Sequence, residues 1–369
     1  MITQQEFSRR RKQLMRMMGK GSIAIIPTAA EQIRNRDAEY PYRPDSDFYY
    51  LTGLHEPEAI AVLIPRRPHG EYLLFCRERD PEMETWTGRR IGTAGAVVEF
   101  NADDAFPISD IDEILPGLME SCERVFYTMG SRPEFDQQVM GWVNRLREGA
   151  RTGMRTPDKF VSLEHLLHDM RLYKSRSEIR VMRTAAKVAC QAHRRAMQSC
   201  RPGMYEYEIE AELLHEFGRA GMVPAYSSIV GCGANGCVLH YVSNNAVLND
   251  GDLLLIDAGS EYDCYASDVT RTFPVNGRFS APQKALYELV LAAQAAAIKK
   301  VRAGNHWNAP HTAAVRVMTR GLVKLGILKG KPATLIMEDA YRRFYLQRTG
   351  HWLGMDVQEV GEFTVGGVW

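Results

Sequence analysis

DGDLLLIDAGSEYDCYASDVTRTFP, residues 250–274, decides the fold. The apolar run 253–256 ends on a carboxylate, Asp257, and the β-rich run 265–273 carries a second one, Asp268. A two-residue turn on Tyr262 and Asp263 would set the two aspartates opposite each other on one face, with Cβ atoms roughly 5 Å apart. Like charges at that separation need a cation, a shared proton or a basic partner. The plain alternative is that one Asp caps a turn while the other is solvated. The Leu-Leu-Leu-Ile and Val flanks argue instead for burial, and buried carboxylates that face each other suit a metal ion.

Around this stretch lie 369 residues, enough for two domains with separate cores. Lys and Arg number 46 against 45 Asp and Glu, so no global field draws the chain to nucleic acid or to an anionic membrane. The longest early apolar run, 23–26, is too short for a signal peptide or a membrane span. Seven scattered cysteines without a C-x-x-C fit free thiols in a reducing cytoplasm. The run Arg9-Arg10-Arg11-Lys12 reads as the wet face of a first helix whose dry face is Phe7, Leu14, Met15 and Met18, or else as an anion patch.

Residues 1–172 read as a compact α/β domain. Strands are expected at 22–27, 48–54, 59–65, 71–76 and 125–128, with helices at 111–119, 135–148 and 163–172. Trp86 to Arg90 reads as an exposed aromatic and basic loop, a contact for a partner subunit. The second domain, 173–369, opens on a capping box, Ser175-x-x-Glu178, before a helix with Ile179, Met182, Ala186 and Cys190 on one face. Arg201-Pro202-Gly203 ends it. A second helix follows, with Ile209, Leu213, Leu214 and Phe217 in a stripe, and then strands at 227–231 and 237–241.

The plan then recurs. Ser280-x-x-Gln283 is a second capping box, 105 residues after the first, and Arg302-Ala303-Gly304 stands 101 residues after Arg201-Pro202-Gly203. Leu286, Leu289, Val290, Ala293, Ala297 and Val301 supply the helical stripe of this copy. We read a duplicated helix-helix-sheet unit, in which a second carboxylate hairpin would fall beyond about residue 360, so that the second half is expected to lack its sheet. Asp257, Asp268 and His351 together offer two oxygens and a nitrogen, a set suited to Mn²⁺, Co²⁺ or Zn²⁺. Taken alone, His351 reads as a core histidine rather than a ligand and His240 as a strand histidine; in a site, His240 could donate a hydrogen bond to a developing oxyanion.

Six segments carry a resemblance: EYPYRPDSDFYYLTGLHEPEA (39–59), KSRSEI (174–179), CRPGMYEYEIE (200–210), IDAGSEYDCYASDVTRTFPVNG (256–277), GLVKLGIL (321–328) and GHWLGMDV (350–357). In them the chain resembles the aminopeptidase P (Xaa-Pro aminopeptidase) branch of the creatinase, prolidase and methionine aminopeptidase superfamily, peptidase family M24. The resemblance implies an α/β (α+β) protein, with an N-terminal creatinase-like domain and a C-terminal pita-bread domain that is itself duplicated. It implies two metal ions per subunit, usually Mn²⁺, held by Asp, Asp, His, Glu and Glu. Asp257, Asp268 and His351 match the first three. The two glutamates would fall past residue 369, so a C-terminally truncated chain is expected, holding one ion weakly or none.

His240 matches a residue that steadies the intermediate, and Tyr226 lies in a matching strand near the site. Trp86 matches an aromatic that reaches a neighbouring subunit. Gln347 and Gln358 stand where the family has histidines that contact substrate, and Gln358 can donate an N–H bond but cannot act as an acid. The implied activity is metal-dependent removal of the residue before proline from a peptide, in a cytoplasmic homo-oligomer. The alternatives are an inactive creatinase-fold binding or oligomer-partner protein and a prolidase-like dipeptidase.

Overall fold

The computed structural model describes residues 1–120 and 122–363. The chain forms two compact units, Met1–Val181 and Met182–Trp369.

In the first unit, α1 (Gln4–Met18) leads into β1 (Ser22–Pro27), as expected. The six-stranded sheet is completed by β2 (Ile60–Leu63), β3 (Tyr72–Cys76), β4 (Asp104–Pro107), β5 (Arg124–Tyr127) and β6 (Lys159–Ser162), in the order β4-β3-β2-β1-β5-β6. Neighbours β1, β2 and β3 pair antiparallel, whereas β4, β5 and β6 add in parallel. Ile23, Ile25, Val62, Leu73, Phe75 and Val125 pack one face against Leu115 and Met119 of helix Ile111–Met119 and against Val139, Trp142 and Val143 of helix Pro133–Glu148.

Two expectations fail here. The aromatic segment expected as a strand at 48–54 is α2 (Ser46–Thr52), because the Asp45 side chain accepts from the backbone N–H groups of Asp47 and Phe48 and so starts a helix. The basic run of α1 is not all wet: Arg10 and Arg11 are 0% and 3% exposed. Arg10 donates to the Tyr50 carbonyl at 3.0 Å and Arg11 to the Leu51 carbonyl at 2.7 Å, two acceptors that the end of α2 leaves open. Their planes lie over the Tyr50 and Tyr72 rings, a buried arrangement that periodicity cannot foretell.

In the second unit, α3 (Arg176–Ser199) runs on from the first and opens on the expected capping box, with Glu178 accepting from the Ser175 N–H at 2.7 Å. Its buried stripe is Val181, Ala185, Ala189, Ala192 and Ala196, turned away from the predicted Ile179 and Cys190, which are exposed, because small alanines let the helix approach the sheet closely. After α4 (Glu206–Arg219) come β7 (Ile229–Cys232), β8 (Leu253–Asp257), β9 (Ser260–Tyr262), β10 (Tyr265–Ala266) and β11 (Thr270–Pro274). Strands β7, β8 and β11 form an antiparallel sheet. Val230, Leu254 and Ile256 from it pack on Ile209, Leu213 and Phe217 of α4, while Leu214 stays exposed.

The hairpin turn falls on Asp263 and Cys264, both at positive φ as a two-residue turn of this twist requires, and not on Tyr262 and Asp263. Asp257 therefore pairs with Thr270, not with Asp268. A shift of two places preserves the side-chain face, so both carboxylates still point the same way.

The second copy begins with α5 (Ala281–Ile298), again under a capping box, Ser280 to Gln283, followed by α6 (Ala309–Lys324). Gly203 and Gly304, at matching places in the two copies, share φ values of 88° and 85°. Of the predicted stripe of α5, Ala293 and Ala297 are buried against α6, whereas Leu286, Val290 and Val301 are exposed. Among the described residues no strand follows Pro274.

Candidate metal centre

Asp257 ends β8, and Asp268 lies in the irregular segment between β10 and β11. Tyr226 was expected in a strand but occupies the bend ahead of β7, where its ring reaches back over both aspartates. Its hydroxyl donates to Asp257 Oδ1 at 2.6 Å and lies 3.1 Å from Asp268 Oδ1. Burial, followed by the bond to Asp257, pushes the Tyr226 hydroxyl well above its ordinary pKa, so it keeps its proton.

His351 arrives from a segment without regular structure. The Ala266 N–H, at the end of β10, donates to the Gly354 carbonyl at 2.8 Å, and Trp352 packs on Trp307 at 4.3 Å between ring centres. Together these hold His351 Nε2 at 3.1 Å from Asp268 Oδ2, while Nδ1 is 2.8 Å from the Trp352 carbonyl. Behind the sheet, His193 is buried, with Nε2 at 3.1 Å from the Ala258 carbonyl, and burial lowers its pKa.

The donor chemistry of these groups suits a divalent ion. One tyrosine proton serves two carboxylates, which leaves their negative charge largely uncompensated. With Nδ1–H given to the Trp352 carbonyl, His351 Nε2 turns a lone pair toward the Asp268 oxygen, and two acceptors 3.1 Å apart call for a proton or a cation between them. Asp257, Asp268 and His351 are the side chains that would hold it. Among the described residues, no group of three or more His, Cys, Asp or Glu side chains is arranged so that it could hold a metal ion, so these three side chains are candidate ligands and not a formed site.

Among the described residues, neither His240 nor the two predicted glutamines makes a hydrogen bond or ion pair to this cluster. His240 is exposed in the turn after the 3₁₀ helix Gly233–Cys237; no strand forms at 237–241, because the chain doubles back where a Cβ on Gly231 would lie 2.8 Å from the Gly236 nitrogen. Gln347 and Gln358 are exposed. Trp86, 81% exposed, sits in the first unit on the short helix Pro81–Thr87, which Asp80 caps, and not in a loop. Sequence reading passed over Glu206, the buried carboxylate that ties down the His240 segment; its position in a helical first turn suggests a cap and nothing more.

A helix-covered antiparallel sheet that presents paired aspartates and a histidine from a later segment offers the donor types of a metallopeptidase, and the comparisons establish that class. The sequence description Metallopeptidase family M24 matches residues 180–367, and that of the aminopeptidase P N-terminal domain matches residues 7–127. The Xaa-Pro aminopeptidase of Escherichia coli is 44% identical over 364 residues, covering 98% of this chain and 82% of that protein. The solved structure of Pseudomonas aeruginosa aminopeptidase PepP superposes with a TM-score of 0.99 at 59% identity, covering 100% of this chain and 84% of the other. A Zn-substituted E. coli aminopeptidase P in complex with product gives 0.96 at 44% identity, covering 98% and 82%. The chain belongs to the aminopeptidase P family of M24 metallopeptidases.

Proposed function

We propose that the chain is a metal-dependent Xaa-Pro aminopeptidase, which hydrolyses the bond between the first residue of a peptide and a following proline. The observation that carries this reading is the convergence of Asp257, Asp268, His351 and the Tyr226 hydroxyl in a member of this family. Asp257, Asp268 and His351 would hold a divalent ion, for which Mn²⁺ is our assignment. When bound, such an ion lowers the pKa of water and polarises a carbonyl. Tyr226 keeps a proton on its hydroxyl and fixes the rotamers of both carboxylates. His240 donates to the oxyanion that develops at the scissile carbonyl. Gln358 offers an amide N–H, Gln347 lines the substrate path, and Trp86 contacts a neighbouring copy in a homo-oligomer. No described helix is long and apolar enough to cross a membrane, and we place the protein in the cytoplasm.

A second reading, a creatinase-fold binding or oligomer-partner protein without turnover, is favoured by Gln347 and Gln358, neither of which can serve as an acid. Metal content and cleavage of Arg-Pro-Pro by the purified chain separate the two. Release of arginine that depends on added Mn²⁺ supports the peptidase. Bound metal and bound peptide without release would replace it with the binding protein.

A further inference from the structure

Glu206 is 0% exposed, and its carboxylate accepts four hydrogen bonds, all from uncharged donors. Oε1 takes the Cys232 N–H at 2.7 Å and the Asn235 side-chain amide at 3.1 Å. Oε2 takes the Tyr241 hydroxyl at 2.7 Å and the Ala246 N–H at 2.9 Å. The Glu206 N–H in turn donates to the Ala246 carbonyl at 2.9 Å. One side chain therefore closes both ends of segment 232–246 and catches its middle at Tyr241, the neighbour of His240. Glu206 is also the first residue of α4, so the clamp is anchored in a regular element.

Asn244, buried and at positive φ, pins the same segment from the other side, accepting from the Val230 N–H at 3.0 Å and donating to the Ser228 carbonyl at 2.8 Å. What remains outside is a short projection on which Val238, Leu239, His240 and Val242 face solvent. Exposed side chains on a backbone clamped by a buried side chain are the arrangement of a presented group.

We propose that Glu206 is a positioning residue: through the four hydrogen bonds it accepts, its side chain sets the height and direction at which His240 is offered to substrate. The proposal rests on His240 acting as the oxyanion donor of the peptidase. The E206Q substitution would turn an amide donor toward N–H and O–H donors and break half of the clamp.

The test is a cycle of E206Q, H240A and the double variant, with Y241F as a milder break that removes one donor of the four. Each variant is followed by Arg-Pro-Pro turnover and by hydrogen exchange of the amides of 233–246. We expect E206Q to lower kcat about tenfold or more with KM little changed. The double variant should be no slower than H240A alone. Exchange across 233–246 should rise strongly in E206Q and moderately in Y241F, while exchange in β8 and β11 and the bound-metal content stay as in the wild type. Losses that multiply in the double variant, or unchanged exchange in E206Q, would overturn the proposal. If the wild type releases no arginine, the peptidase reading has failed, and exchange together with the His240 ring resonances still decides the clamp: resonances that do not move in E206Q and Y241F refute it.

Discussion

One tyrosine proton between two aspartates sets the character of the site at the scale of single residues. The Tyr226 hydroxyl reaches Asp257 and Asp268 together, so it orders the pair without neutralising it. Tyr226→Phe is expected to keep the fold and to weaken divalent-ion affinity about tenfold, the usual cost of losing a partner of the ligands. Calorimetric titration with Mn²⁺ reads this directly, and unaltered affinity would mean that the hydroxyl is idle. The same scale holds the clearest failure of sequence reading. Arg10 and Arg11 belong to a run that looks solvated, yet two open carbonyls at the end of α2 draw both guanidinium groups inward. No periodicity in α1 contains that information, since the acceptors lie 40 residues away.

At the scale of elements, the two aspartates depend on how closely two segments approach. A Cβ on Gly259 would stand 1.7 Å from the Ser267 carbonyl oxygen and 3.1 Å from the Tyr226 ring. Gly259→Ala must therefore separate the segments that carry Asp257 and Asp268, and we expect a loss of about 3 kcal/mol or more in urea unfolding. A loss below about 1 kcal/mol would show that the backbone gives way there at little cost. Helix α1 offers a pH test. Hydrogen bonding by Arg9, aided by Arg10, holds the Glu6 carboxyl at about 2 instead of 4.5. A depressed carboxylate pKa stabilises the fold above the unfolded value, and this contribution fades as pH falls from 4.5 toward 2. Wild type should thus exceed E6Q in denaturant midpoint near neutrality and converge with it in that acid window. A gap independent of pH would assign the difference to packing.

Across the whole molecule, metal binding and folding are linked, because the ligands come from segments that only the folded chain brings together. An ion at a hundredfold excess over its dissociation constant should raise stability by about 2.7 kcal/mol. The gain should show in hydrogen exchange as added protection of β8, β11 and the 350–359 segment, beyond any change in β1 or β3. Equal protection of all these strands would argue against a site at Asp257, Asp268 and His351. The duplication operates at this scale too. Matching capping boxes open two helix pairs, matching glycines at positive φ lie between the helices of each pair, and the described sheet β7-β8-β11 covers the first of them.

The sequence by itself determined the family, the α/β class, the two capping boxes, the repeat and the pair of aspartates, because each is written in a short run of neighbouring residues. It misplaced the turn by one residue and read α2 as a strand, since a cap and a pair of positive φ angles outweigh β-branched and aromatic content. Only the tertiary structure decided that His351 meets Asp268, that Tyr226 spans both carboxylates, and that Glu206 holds the segment of His240. Those contacts join residues 26 to 83 positions apart, and their energies exist only once the β7-β8-β11 sheet and its helices have packed.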